Sequence, residues 1–276
     1  MILINGEVIA SIPADDRGLA YGDGLFETLR ARKGRLPLLH HHLDRLYLGL
    51  QVLQFPGIPR ETLCQELNAA ARANPDGVVK LIVTRGSGGR GYAPPSEATV
   101  RRIIQVLPAP SHVDAWNERG IGVRFCTTRL EGLRALDGLK HLNRLAQVLA
   151  RAEWNDPEIH EGLMRDHAGN VVEGTMSNLF VVCDGLLITP PVGAGVCGVM
   201  RRFVLECAVT LGIETSERFV IDEEIMSAGE IFLTNSVIGI CPVVRIGNLQ
   251  YQIGTMTRRL QSVVETELER LACSAD

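Results

Sequence analysis

Lys140 is the residue of this chain whose type and position most need a chemical explanation. It lies in GLKHLNRLAQVLAR, residues 138–151, just before apolar residues at helical spacing that begin at Leu142. The spacing predicts a helix that begins here, and the dipole of a helix disfavours a cation at its first turn. A positive neighbourhood lowers the pKa of an amine, and an unprotonated amine is a nucleophile. Lys140 is therefore a candidate nucleophile, with a solvated surface lysine as the alternative.

Glu173 is a second candidate, in the stretch GNVVEGTMSNLFVV. Its carboxylate stands between apolar strand residues and a glycine, where water solvates it poorly. If a cofactor with a pyridine ring were bound here, such a carboxylate could hydrogen-bond to the ring nitrogen. It would keep that nitrogen protonated, and the ring could then accept electrons. The alternative is a surface glutamate at the end of a strand.

Three further segments contain groups that bind anions. Gly198 precedes a predicted helix that begins near Val199 and Met200, and the N–H groups of a helix start suit a phosphate. The TNSV turn around Ser236 offers hydroxyls, and Arg45 on a helix of the first half offers a charge-assisted contact. A simple turn glycine and a solvated arginine are the alternatives. An amine, a partner for a pyridine nitrogen and a phosphate cradle are together what pyridoxal phosphate requires.

The segment TRGSGGRGY, from Thr84 to Tyr92, contains four glycines and two arginines. It is not a nucleotide-binding P-loop, because no Gly-Lys-Ser/Thr follows it. The pattern predicts a mobile loop that binds anions and would suit a substrate bearing carboxylates. A flexible connection between two strands is the alternative.

The bulk properties exclude several classes of protein. With 276 residues, 46% hydrophobic and 22% charged residues, the chain is typical of a soluble globular protein. A net charge of -4 without blocks of like charge argues against binding to nucleic acid or to a membrane surface. The N-terminus does not resemble a signal peptide, and the seven cysteines form no CxxC pair, so we expect reduced thiols in the cytoplasm. The adjacent histidines at 40–42 point in different directions around a helix and predict no metal site.

The order of predicted elements favours an α+β fold, because strands and helices alternate without a regular βαβ rhythm. The proline-containing stretch that follows residue 108 lacks periodicity and predicts an interdomain linker. We therefore expect a smaller N-terminal α/β domain at 1–108, a linker at 109–118 and a larger C-terminal domain at 119–276.

Taken together, the motifs resemble those of the class-IV, fold-type IV pyridoxal-phosphate enzymes. They occur in the expected order: GDGLFET (22–28), HLDRL (42–46), KHLNRL (140–145), EGTMSNLF (173–180), GVCGVMRR (195–202) and TNSV (234–237). Within that family the chain is most similar to the 4-amino-4-deoxychorismate lyases, through RGSGGRGY at 85–92, the run around Lys140, and Thr28. The resemblance implies a two-domain, D-amino-acid aminotransferase-like fold with the cofactor between the domains, and a homodimer.

The resemblance also implies a role for each site residue. Lys140 would form the Schiff base and then act as general base, Glu173 would bind the pyridine nitrogen, and Thr28 would deliver a proton to the leaving group. Phosphate contacts would come from Arg45, Val199, Met200 and Ser236. Contacts to the substrate would come from Lys80, Arg85, Arg90 and Tyr92.

The activity implied is the conversion of 4-amino-4-deoxychorismate to 4-aminobenzoate and pyruvate, a step of folate precursor synthesis. Branched-chain aminotransferases have glycine near the position of Thr28 and arginine near that of Lys80, which favours the lyase. Phe26 replaces a tyrosine that is typical of D-amino-acid aminotransferases. An aminotransferase acting on D- or branched-chain amino acids is the first alternative, and a non-catalytic binding protein is the second.

Overall fold

The computed structural model of the chain describes residues 1–9, 11–193 and 195–273. The chain divides into two compact units. The first contains Met1–Ala109, Leu139–Asn143 and the chain from Leu268 onward, and the second contains Pro110–Gly138 and Arg144–Glu267. Short segments from distant parts of the sequence therefore complete the first unit.

The first unit is built on a four-stranded antiparallel sheet of order β1-β4-β3-β2. Its strands are β1 (Ile2–Ile4), β2 (Gly24–Arg30), β3 (Val78–Thr84) and β4 (Arg101–Leu107). Side chains alternate between the two faces of such a sheet, so Thr28 and Lys80, which are directly opposite in register, lie on the same face.

Helices cover one face of this sheet. They are α1 (Arg17–Tyr21), α2 (Leu39–Val52) and α3 (Arg60–Ala73). The helix α2 packs on β2, and α3 packs on β3 and β4. Leucines at helical spacing, such as Leu43, Leu46, Leu63 and Leu67, are fully buried against the sheet. The helices predicted from this spacing are confirmed.

The second unit is built on a nine-stranded mixed sheet that closes on itself. Its strands are β5 (Ile121–Leu130), β6 (Glu161–Asp166), β7 (Val171–Gly174), β8 (Asn178–Cys183), β9 (Leu186–Thr189), β10 (Thr215–Glu217), β11 (Glu230–Asn235), β12 (Gly239–Ile246) and β13 (Leu249–Gln250). The order is β10-β9-β8-β11-β12-β5-β6-β7, with β13 on β12, and an extra pairing of β7 with β8 closes the ring. Closure leaves the short strand that carries Glu173 paired on both sides.

The helices of the second unit are α4 (Val113–Arg119), α5 (Leu145–Arg151), α6 (Val199–Thr210), α7 (Asp222–Ser227) and most of α8 (Thr255–Cys273). The segment predicted as a linker thus contains most of α4. Continuous apolar runs such as LFVV in β8 and IFL in β11 are buried throughout, because both faces of these strands are covered. The predicted α+β class is confirmed.

Across the described ranges, none of the helices is long and apolar enough to cross a membrane. All seven cysteines are free thiols.

Candidate active site

Lys140 lies in an extended segment that runs antiparallel to the edge strand β2. The N–H of Phe26 donates to the carbonyl oxygen of Lys140 at 2.9 Å, and the N–H of Leu142 donates to that of Gly24 at 3.0 Å. His141 is bridged to Leu25 between these two bonds. The prediction that Lys140 begins a helix is wrong, because α5 begins only at Leu145. The backbone hydrogen bonds to β2 hold the lysine instead.

The glycines of the GDG segment make this pairing possible. A Cβ atom on Gly24 would lie 2.4 Å from the carbonyl oxygen of Val83 and 2.7 Å from Cδ1 of Leu142. Gly22 has a φ of +66°, which favours glycine, and its carbonyl oxygen accepts a hydrogen bond from Asn143 Nδ2 at 3.1 Å. Any larger residue at position 24 would push the segment of Lys140 away from the sheet.

Three of the predicted catalytic and substrate-binding residues share one face of the first sheet. Lys140 Nζ lies 4.4 Å from the ring centroid of Phe26, and Lys80 Nζ lies 5.5 Å from the same centroid. Thr28 is two residues from Phe26 on β2 and directly opposite Lys80. Two amines over one aromatic ring beside a hydroxyl form a positively charged surface that suits an anionic substrate.

Arg45 lies on α2 and is only 10% exposed through its side chain. Its Nε donates to Oε1 of Glu27 at 2.8 Å and its Nη2 donates to Oε2 at 2.5 Å. Sequence reasoning singled out the arginine but not the glutamate. The sequence signal that was missed is the position of Glu27, a charged residue on the same face of β2 as the buried Leu25 and Leu29.

Glu173 lies on β7 in the second unit, and only 4% of the residue is exposed. Its Oε2 accepts hydrogen bonds from the backbone N–H of Val196 at 2.8 Å and from Asn178 Nδ2 at 3.2 Å. Asn178 also donates to the carbonyl oxygen of Val196 at 2.9 Å. Packing is close here, since a Cβ on Gly198 would lie 1.8 Å from Asn178 Oδ1. These contacts fix the direction of the carboxylate, as a partner of a ring nitrogen requires.

A second buried carboxylate organises the turn that joins Glu173 to Asn178. Glu161 accepts from the N–H groups of Gly162, Thr175 and Met176 at 2.8, 3.1 and 3.2 Å. It also accepts from Ser177 Oγ at 2.9 Å and from Thr175 Oγ1 at 2.5 Å. Sequence reasoning missed Glu161, because all its donors except Gly162 come from a segment that follows it by more than ten residues.

The predicted phosphate-binding helix start is confirmed as a helix start. Gly198 is the N-cap of α6 and, as a glycine, has no side chain to accept hydrogen bonds from the first N–H groups of the helix. Val199 and Met200 form the first turn and are buried. The first N–H groups of a helix have no acceptor within the helix, so this turn presents donors and a positive dipole end.

The TNSV turn adds a buried hydroxyl. Thr234 is fully buried, and its Oγ1 has no hydrogen-bond partner within the described part of the chain. Asn235 shapes the turn that follows, because its Oδ1 accepts from the N–H groups of Val237 and Ile238, both at 2.9 Å. The partly buried Ser236 stands inside this turn. A phosphate oxygen could accept a hydrogen bond from such a buried hydroxyl and from donors of the turn.

Arg85 has a different environment from the one expected of a substrate-binding residue. Its Nε donates to Asp23 at 2.8 Å, and Nη1 and Nη2 donate to the carbonyl oxygens of Gln54 and Leu53 at 3.0 and 2.7 Å. The guanidinium carbon lies 4.2 Å from the ring centroid of Phe55. Burial by itself raises the pKa of Asp23. The hydrogen bonds and charges of Arg85 and Arg17 outweigh burial, so the pKa of Asp23 is lowered. These contacts favour a structural role for Arg85.

The glycine-rich loop is anchored by a residue that sequence reasoning missed. Arg17 is buried and donates to the carbonyl oxygens of Gly91, Tyr92 and Ala93 at 3.2, 2.9 and 3.3 Å. Tyr92 is 85% exposed, and Arg90 is exposed beside it. The tip of the loop is therefore held by its backbone while these two side chains face outward.

Comparisons with known proteins identify the family and the fold of the chain. The family model described as amino-transferase class IV matches residues 24–246. Aminodeoxychorismate lyase of Vibrio harveyi is 35% identical over 96% of this chain and 100% of its own length. The crystal structure of 4-amino-4-deoxychorismate lyase from Pseudomonas aeruginosa is 47% identical, with a TM-score of 0.93 over 98% of this chain and 100% of that one. The branched-chain amino acid aminotransferase of Escherichia coli is 26% identical, with a TM-score of 0.85 over 95% of this chain and 92% of that one.

These likenesses extend over nearly the whole chain, and they confirm both the predicted resemblance and the predicted fold-type IV fold. The chain belongs to the amino-transferase class IV family.

Proposed function

We propose that this protein is a pyridoxal-phosphate-dependent lyase that converts 4-amino-4-deoxychorismate to 4-aminobenzoate and pyruvate. The observation that carries the proposal is the sheet face on which Lys140 and Lys80 flank the ring of Phe26, with Thr28 opposite Lys80. This face brings together the three groups that the elimination needs: a base, Lys140; a hydroxyl, Thr28; and a cation, Lys80. The likeness to lyases over the whole chain supports it.

The residues present fit the cofactor. Lys140 offers the amine and Glu173 the oriented carboxylate for the pyridine nitrogen. We propose that the phosphate is bound by Arg45, by the N–H groups of Val199 and Met200 and by the turn at Ser236. The buried hydroxyl of Thr234, which has no partner among the described residues, supports this assignment of the turn.

When bound, pyridoxal phosphate supplies a carbonyl carbon for the substrate amine and a ring that accepts an electron pair from the neighbouring carbon. Lys140, as the proposed base, would take the proton from the substrate carbon that bears the nitrogen. The adjacent carbon–oxygen bond then breaks, and Thr28 delivers a proton to the leaving ether oxygen. The enol released becomes pyruvate and the ring becomes aromatic, so no oxidant or reductant is needed.

The remaining task of the chain is to orient the substrate. We propose that Lys80 binds a substrate carboxylate, and its position over the same ring of Phe26 as Lys140 supports this. Arg90 and Tyr92, at the tip of the anchored loop, are the other proposed contacts. The contacts of Arg85 make it a support for the loop, so we assign it no substrate carboxylate. Holding the reacting groups in place can supply a large part of the rate enhancement.

We also propose that two copies of the chain form a homodimer in the cytoplasm. Three apolar side chains at i, i+3 and i+4 on α5, namely Leu145, Val148 and Leu149, are between 55% and 70% exposed in one copy. Such a row on a helix supports a contact with another chain. Light scattering of the purified protein should give twice the mass of the chain, and a single-chain mass would contradict the dimer.

The activity is tested by mixing the purified protein with 4-amino-4-deoxychorismate and measuring both products over time. We expect equal amounts of 4-aminobenzoate and pyruvate over many turnovers. A cofactor-loaded protein that releases no 4-aminobenzoate would contradict the lyase. If D-alanine or a branched-chain amino acid then converted the bound cofactor to its amine form, the chain would be an aminotransferase.

A further inference from the structure

We propose that Glu27 is a positioning residue, which together with His42 holds Arg45 in the orientation that binds the cofactor phosphate. This inference rests on the proposed function, because it takes Arg45 as a phosphate contact. Glu27 itself would touch neither substrate nor cofactor.

The first observation is the place of Glu27 in the sheet. It lies on the helix-covered face of β2, between Leu25 and Leu29, and only 1% of the residue is exposed. Both neighbours on that face are leucines with 2% exposure. A leucine at position 27 would continue the apolar row, so packing alone does not account for a carboxylate.

The second observation is the complete use of both carboxylate oxygens. Oε1 accepts from Arg45 Nε at 2.8 Å, and Oε2 accepts from Arg45 Nη2 at 2.5 Å and lies 2.6 Å from His42 Nδ1. His42 and Arg45 are three residues apart on α2 and thus lie on the same side of the helix. The two parallel bonds fix the plane of the guanidinium and use two of its five N–H groups.

The charges of the cluster agree with these contacts. Burial raises the pKa of Glu27, but the charge of Arg45 and the hydrogen bond from His42 outweigh burial and lower it to about 2. Burial lowers the pKa of His42, and the charges of Arg45 and Lys140 lower it further, against the opposing effect of Glu27. A neutral His42 therefore donates its Nδ1–H to an ionised Glu27, and Arg45 is the cation of the cluster.

A buried ion pair contributes little to folding, because the cost of removing both charges from water offsets their attraction. What the pair does provide is a guanidinium whose orientation is set before any anion arrives. Arginine recognises phosphate through the geometry of its N–H groups, so a fixed plane lowers the entropy lost on binding. The geometry therefore favours a role in cofactor binding over a role in stability alone.

The test compares the binding of pyridoxal phosphate with that of pyridoxal, which lacks the phosphate, by titrating the apoprotein and following absorbance. For Glu27→Gln we expect the preference for the phosphorylated form to fall by about 10-fold, with pyridoxal bound as in the wild type. Arg45→Lys should lower the same preference, since lysine keeps the charge but cannot form the paired bonds. The double variant should lose no more than Arg45→Lys alone.

Glu66→Gln is the matched control. Glu66 forms a similar pair with Nε and Nη2 of Arg102 in the first unit, at 2.9 and 2.8 Å, and neither residue belongs to the proposed site. We expect it to leave the preference unchanged. An unchanged preference in Glu27→Gln would overturn the inference, and if that variant does not fold, an unchanged preference in Arg45→Lys would do so. A wild-type protein that binds neither form would instead contradict the proposed function.

Discussion

Replacing Lys140 by alanine is expected to abolish the release of 4-aminobenzoate and to give a colourless protein that still folds. Activity should fall by about 10,000-fold or more if Lys140 has both of its proposed roles, the amine that holds the cofactor and the base. The fold should survive, because the contacts of this segment with β2 are made by backbone atoms. The carbonyl oxygen of Lys140 accepts from Phe26, and the next pairing is made by Leu142 and Gly24.

Lys33→Ala is the control for loss of a lysine. Lys33 belongs to the same unit, lies outside the proposed site, is largely exposed and pairs with Glu269 at 2.5 Å. It should leave activity and colour unchanged. Borohydride reduction of the loaded wild-type protein followed by peptide mass spectrometry should find the pyridoxyl group on the peptide that contains Lys140. A yellow, active Lys140→Ala protein would refute the assignment.

Much of the fold follows from local patterns. Leucines at helical spacing predict α2 and α3, and apolar runs predict the strands of both sheets. The setting of Lys140 is not local, because the segment at 139–143 joins a strand more than a hundred residues earlier in the chain. Helical periodicity begins at Leu142, but the backbone of this segment bonds to β2 and delays α5 until Leu145. Tertiary hydrogen bonds thus override the local preference.

In the candidate site, too, some features follow from local sequence and others depend on contacts with distant residues. Sequence motifs identify the residues proposed to carry the chemistry, such as Lys140 and Glu173, because their types are unusual where they stand. They do not identify the polar residues that hold the site in place, namely Glu27 beside Arg45, Asn178 beside Glu173, and Glu161 in the turn between Glu173 and Asn178. These side chains act through partners that are distant in the sequence or that belong to another element. Arg85 illustrates the converse, since a motif that suggests substrate binding contains an arginine whose three nitrogens contact the protein itself.

The second large effect is expected from Glu173→Gln. The two N–H donors to Oε2, from Val196 and Asn178, require an acceptor, so the carbonyl oxygen of the new amide should take that position. The NH2 group then occupies the place of Oε1. If Glu173 is the partner of the pyridine nitrogen, that nitrogen now meets a donor where it had met an acceptor, and it loses its proton. We expect the rate of product release to fall by about 100- to 1,000-fold, the usual loss when one oriented electrostatic contact is removed.

This variant should still bind the cofactor, because Lys140 and the proposed phosphate contacts are unchanged. The loss should therefore appear in kcat more than in cofactor affinity. Glu206→Gln is the control, since Glu206 lies on α6, is about half exposed and pairs with Arg202 on the same helix. It should match the wild type. Rapid-mixing absorbance after substrate addition distinguishes slower substrate binding from a slower chemical step as the cause of the lower rate. We expect the substrate still to bind and the removal of its proton to slow. A wild-type kcat in Glu173→Gln would mean that the ring nitrogen has another partner, and Asn178 would then be a support for a carboxylate without a role in the reaction.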